Sequence, residues 1–109
     1  MANTETATTS SVYGQIDSTG AIGTITVKGG KLLDVSVDFD TTTAFVGTIQ
    51  LQRETLTGAS NIAEWQTIES YTASVEKVAR SATTRRYRLN CSVDTSGTAE
   101  YEMTAGNFS

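Results

Sequence analysis

The chain has no histidine and no proline, and a single cysteine among its 109 residues. Without histidine, Ser-His-Asp and Cys-His nucleophilic arrangements lose their base, and zinc loses its commonest nitrogen ligand. One cysteine excludes an intrachain disulfide. Cys91 falls on the apolar phase of an alternating run and reads as a small core hydrophobe. Nothing in the chain is long and apolar enough to cross a bilayer as a helix, and Met1 to Ser11 lack the basic and apolar regions of a signal peptide. The expectation is a protein made in a cytoplasm with no membrane contact. Cations are also scarce, eight against twelve carboxylates, and the net charge of -4 argues against nucleic acid as a partner. No cofactor and no metal is expected, and no enzymatic activity.

What carboxylates there are give little chemistry. Asp34, Asp38 and Asp40 share one phase of a strand, where neighbours at i and i+2 lie roughly 6.6 to 6.8 Å apart, near the lower bound for an inverting glycosidase pair. Any solvated strand with two acids meets that condition. Asp38, Asp40 and Thr41 to Thr43 lack the glycine-punctuated spacing of a calcium loop, and Gly29 and Gly30 join two strands without opening a phosphate-binding helix.

The positive content is alternation. From Arg85 to Val93 and from Thr98 to Thr104 the apolar residues Tyr87, Leu89, Cys91 and Val93, then Ala99, Tyr101 and Met103, fall on every second position. A period of two places one apolar and one solvated face on a strand. The turn Asp94 to Gly97 between these runs predicts an antiparallel hairpin centred on Ser96, with Cys91 opposite Tyr101 and Leu89 opposite Met103. Six further strands are expected over 11–16, 21–28, 32–39, 45–53, 62–69 and 73–79, rich in threonine and valine and separated by glycine, serine and aspartate. Leu33, Val35 and Val37 mark one inward face, and Phe45, Ile49 and Leu51 another. Facing logic across Lys28 to Lys31 predicts a hairpin with an odd-length loop, Val27 opposite Leu33. Trp65 and Ile68 differ in phase, which requires a bulge or a strand buried on both faces. The fold class is therefore all-β: a single antiparallel sandwich of about eight strands, immunoglobulin-like or jelly-roll-like, over 11–109. Residues 1–10, polar and without periodicity, read as a flexible arm.

Two groups of residues are candidates for contact with a partner. The arm offers Asn3, Thr4, Glu5 and Thr6. The late cationic cluster of Lys77, Arg80, Arg85, Arg86 and Arg88 reads first as a solvated face opposite Glu100 and Glu102, and as the alternative it offers Arg80, Arg85 and Arg86 to an acidic partner. Trp65, the only tryptophan, reads as core in preference to a ligand platform, and Tyr87 resembles the corner tyrosine of immunoglobulin-like sandwiches.

The ordered set Phe45 to Arg53, Glu64 to Ile68, Tyr71-Thr72, Tyr87 to Leu89 and Thr95 to Thr98 resembles small β-sandwich virion proteins of tailed bacteriophages, over about residues 44–102. The loop Leu56 to Asn61 departs from the Asp-Gly-Gly turn of those proteins. The resemblance implies a non-enzymatic decoration or cement protein on the capsid surface of a virion, made in the host cytoplasm. Its partners would be the major capsid protein or another virion protein, and further copies of itself in a homo-oligomer. A carbohydrate-binding or adhesion module of a phage tail or cell surface is the alternative, favoured if Trp65 is exposed beside a second aromatic and polar groups.

Overall fold

The computed structural model describes residues 3–8, 10–42, 44–55, 64–80 and 84–106. Among the described residues nine strands run in order: β1 Thr6–Ala7, β2 Ser11–Ile16, β3 Gly20–Val27, β4 Leu32–Phe39, β5 Val46–Thr55, β6 Glu64–Tyr71, β7 Val75–Arg80, β8 Arg85–Ser96 and β9 Ala99–Gly106. They form two antiparallel sheets, β1-β2-β9-β4-β7 and β3-β8-β5-β6. Among the described residues no helix is long and apolar enough to cross a membrane. The eight expected strands are all present, with ends displaced by at most two or three residues.

Their pairing follows one rule. The pairs β2–β9, β3–β8, β4–β7 and β5–β6 nest around the bend between β5 and β6, as in one long antiparallel hairpin. Rolling that hairpin over places alternate pairs in opposite sheets, and β9–β4 and β8–β5 then join them. This is the strand order of a jelly roll. Between the sheets lies one core, built from the inward phases of both: Leu33, Val35 and Met103 from one, Ile49, Leu51 and Leu89 from the other, each fully buried. Phe39 and Phe45 meet edge to face at 4.7 Å where β4 crosses to β5.

The rolled topology overturns both expected hairpins. β8 and β9 belong to different sheets, so Leu89 and Tyr101, although both buried, face one another's sheets across the core and are not on paired strands. Likewise β3 and β4 are joined by a tight turn, with Lys31 N donating to Lys28 O at 3.0 Å, that carries the chain from one sheet to the other. Alternation specifies which side of a strand is apolar, and an arch between sheets satisfies it as well as a hairpin does.

Among the described residues four register shifts adjust the phases, two of them where β8 pairs with β5. On β8 the register passes from Ile49 opposite Cys91 to Thr48 opposite Val93, leaving Ser92 as an extra residue. Val93, expected inside, is thereby turned outward and is 48% exposed. On β6 the extra residue is Ile68, between Glu69 opposite Leu51 and Thr67 opposite Gln52, a bulge as the odd spacing from Trp65 suggested, but one that leaves Trp65 outward and Ile68 41% exposed where both were expected to pack inside. On β3 the shift between Ile22 and Ile25 turns both toward the core, through Gly23 at φ +76°.

The segment read as a flexible arm is also different. Residues 3–8 lie along β2: β1 pairs with it, Thr4 N donates to Gln15 O at 2.9 Å, and Gln15 N donates to Thr4 Oγ1 at 2.9 Å. Asn3 Oδ1 accepts from the backbone of Asp17 and Ser18, at 2.8 and 3.0 Å. Glu5 Oε1 accepts from Gly23 N at 2.7 Å, so the segment ties β2 to β3 across the open side of the sandwich. A Cβ on Gly14 would stand 2.0 Å from Thr4 O, and only glycine lets the segment approach this closely. Polarity excludes these residues from a core, but it supplies the side-chain oxygens that cap a turn and a bulge.

Candidate docking surface

The outward phase of the four-stranded sheet carries a connected set of planar polar side chains. Pairing of β8 with β5 sets Asn90, Arg88 and Arg86 beside Gln50, Gln52 and Glu54. Asn90 Nδ2 donates to Gln50 Oε1 at 3.0 Å, and Arg88 Nε donates to Gln52 Oε1 at 2.8 Å. Gln52 Nε2 donates in turn to Thr67 Oγ1 on β6 at 3.1 Å. Arg86 donates through Nε, at 2.9 Å, and through Nη2 to Glu54 Oε2.

Trp65 covers this set. It sits opposite Glu54 on β6, half-buried on the outer face, with the Arg88 guanidinium 4.3 Å and that of Arg86 5.6 Å from its ring centre. Under and beside the indole, Gln52 and Glu54 retain only 8% and 6% of their exposure, unusual for outward residues of a sandwich. The hydrogen bond from Arg86 to Glu54 raises the guanidinium above its ordinary pKa, whereas burial lowers that of Arg88. Trp65 is thus not a core residue. The bulge at Ile68 reverses the phase of β6, so the indole emerges on the solvent side.

The partner expected for the arginines is corrected by the same register. Glu100 and Glu102 lie on β9 in the other sheet, and the residues that engage Arg86 and Arg88 come from β5. Arg86 alone of the seven candidate contact residues belongs to this face. Arg80 ends β7 and Arg85 begins β8, at the end of the sandwich where β3 turns into β4. Asn3, Thr4 and Glu5 spend their polar atoms on the fold itself, and Thr6 pairs with Tyr13 on β1–β2. Gln52 and Glu54 were the residues that the sequence concealed, while Arg88 stood in the late cationic cluster without being chosen as a contact. The signal for them was an outward phase of amides, arginines and a carboxylate on two strands whose adjacency only the register reveals.

On the five-stranded sheet the outward face is acidic. Asp38, Glu100 and Glu102, with Tyr13 and Ser36, line a shallow groove of about 310 Å³. Among the described residues no group of three histidine, cysteine or carboxylate side chains is placed to hold a metal. Cys91 is buried, its thiol donates to Val93 O at 3.3 Å, and burial pushes its pKa up, the reverse of an activated nucleophile.

No family model matches this chain, and no curated protein matches it.

Proposed function

We propose that this chain is a non-enzymatic structural protein of a virion that docks on the capsid surface and stabilises it, with the outer face of β3-β8-β5-β6 as the contact. The observation that carries the docking face is the Trp65–Arg88 stack over Gln52 and Glu54. Tryptophan and arginine dominate the energetics of protein interfaces. Here they are already held in place by hydrogen bonds and stacking, so little side-chain freedom, about 0.5 to 1.5 kcal/mol for each long side chain ordered, is left to lose on binding. The virion assignment draws on the resemblance over residues 44–102 and on the jelly-roll order, a topology that capsid domains use and that lectin domains share.

A ligand that binds only the assembled shell raises the stress that the shell withstands. Particles carrying the protein should therefore rupture at a higher temperature than particles stripped of it, and re-addition of the wild-type chain should restore the difference. Trp65→Ala together with Arg88→Ala should fold yet restore nothing. Equal rupture temperatures with and without the protein would reject the reading. Clear affinity of the free chain for glycans, lost in the same variant, would replace it with the adhesion module, for which a half-exposed indole among planar polar groups is also suited; no second aromatic ring is placed against Trp65 among the described residues.

A further inference from the structure

Seven of the eight cations belong to one end of the sandwich. Lys28 and Lys31 bound the β3–β4 turn, Arg53 lies near the end of β5, Arg80 ends β7 and Arg85 begins β8. The register brings them together: Arg85 is opposite Val27, Arg80 opposite Leu32, and Arg53 opposite Tyr87. Arg86 and Arg88 continue the charge onto the outer face. Against the seven cations, the acidic residues whose strand positions fall at this end are Glu54 near the end of β5, Glu64 at the start of β6 and Asp34 two residues into β4. The connecting residues 56–63 and 81–83 contain no charged residue type.

The opposite end is the reverse. Asp17, Asp38, Asp40, Glu76, Asp94 and Glu100 fall in or beside the turns that close it, and segments 17–20, 38–46, 72–76 and 92–100 contain no lysine or arginine. β4 spans the distance between the ends, roughly 23 Å from Leu32 to Phe39 at about 3.3 Å per residue. Charges are screened over about 8 Å at physiological ionic strength. A molecule approaching either end therefore meets the charge of that end, and not the net charge of -4.

We propose that the cationic end, around Lys28, Lys31 and Arg80, docks on the acidic end of a second copy of this chain. The complementarity is between two surfaces of the same molecule, so the contact is head to tail, and repetition closes a ring or extends a filament according to the rotation between neighbours. Complementary potentials steer such an encounter and fix its orientation, and salt weakens it. This inference is independent of the capsid reading, since it rests on Lys28, Lys31, Arg53, Arg80 and Arg85 at the end of the sandwich and needs neither Trp65 nor the Arg86 and Arg88 guanidiniums of the outer face.

Sedimentation of the whole chain tests it. At about 0.1 M salt the average mass should rise with concentration to that of about two copies or more, and at about 1 M salt it should return to that of one. Lys28→Glu with Lys31→Glu and Arg80→Glu leaves both ends acidic. Asp38→Lys with Glu76→Lys, Asp94→Lys and Glu100→Lys leaves both ends basic. Each variant alone should stay monomeric, and an equimolar mixture should associate. A wild-type chain that is monomeric at every concentration, or association that survives 1 M salt, overturns the proposal. So does a mixture of two folded variants that fails to associate. If a variant does not fold, the salt dependence of the wild-type chain decides alone.

Discussion

The two sheets present the same inward face and opposite outward ones. Inside, both supply aliphatic side chains at a period of two. Outside, the four-stranded sheet locks its polar groups to one another: Asn90 to Gln50, Arg88 to Gln52, Gln52 to Thr67, Arg86 to Glu54, with Trp65 laid over them. The five-stranded sheet instead sets like charges on adjacent strands, Asp38 opposite Glu100, with Glu102 opposite Ser36; these carboxylates are exposed, and Asp38 accepts from Ser74 Oγ at 3.3 Å. Side chains on the first face have few alternative positions, while those on the second have many. A pre-organised surface loses less entropy when a partner covers it, whereas an acidic solvated one acts through its field. The difference is why specific contact is proposed for one sheet and steering for the other.

The comparison rests on a shared core, and the largest expected effect tests that base. Leu89→Ala empties a fully buried site facing the other sheet and should cost about 2 to 5 kcal/mol in chemical denaturation. A loss near zero would mean that the sheets do not depend on a common interior. Next comes the edge that holds the sheets together on one side. Gly14→Val would drive Thr4 off β2 and deprive the Tyr101 hydroxyl, which donates to Thr4 O at 3.1 Å, of its acceptor. The expected cost is about 1 to 3 kcal/mol, with faster hydrogen exchange at the Gly23 amide that Glu5 now caps. Unchanged exchange at Gly23 would show that the N-terminal segment contributes nothing to closing the sandwich.

The outer faces themselves are compared by a pair of substitutions. Trp65→Ala removes the stack with Arg88 and uncovers Gln52 and Glu54, and should cost about 1 to 2 kcal/mol, the cation–π contact accounting for about 0.5 to 1 of it. Glu102→Ala on the other face should stay within about 0.5 kcal/mol of wild type. Equal losses from the two would erase the distinction between a locked and a solvated face.

The smallest effect lies where the two sheets meet at the β6 and β7 edges. Lys77 donates to Glu69, and the Tyr71 hydroxyl donates to the same carboxylate at 2.7 Å. These bonds, that of Lys77 foremost, hold Glu69 below the ordinary carboxylate range, and burial raises Tyr71. A depressed carboxylate stabilises the fold above its unfolded pKa, about 4.3, and that stability is lost as pH falls through the lower folded value. The stability difference between wild type and Glu69→Gln should therefore shrink on acidification below about pH 4, and a difference independent of pH would place the role of Glu69 in packing alone.

Positions of the strands and most inward phases were legible in the chain, because alternation is a local property that burial of one face imposes on each strand separately. Leu33, Val35 and Val37 could be assigned to the interior from their spacing, as could Leu89, Cys91, Tyr101 and Met103. Even the bulge at Ile68 was announced by an odd interval. Neighbours were not legible. A strand needs hydrogen-bond partners on both sides, but any strand of matching length supplies them, so nothing in Tyr87 to Met103 distinguishes a hairpin from an arch between sheets. The rolled hairpin made that choice, and with it the bulge at Ser92 that turned Val93 outward. It also decided the proposed docking surface. Arg86 and Arg88 are separated in sequence from Glu54 and Gln52 by more than thirty residues, and from Trp65 by the β6–β7 crossing, and only the order β8-β5-β6 lays the three strands side by side. Chain chemistry determined which faces are dry and which are wet; tertiary pairing decided which wet residues meet.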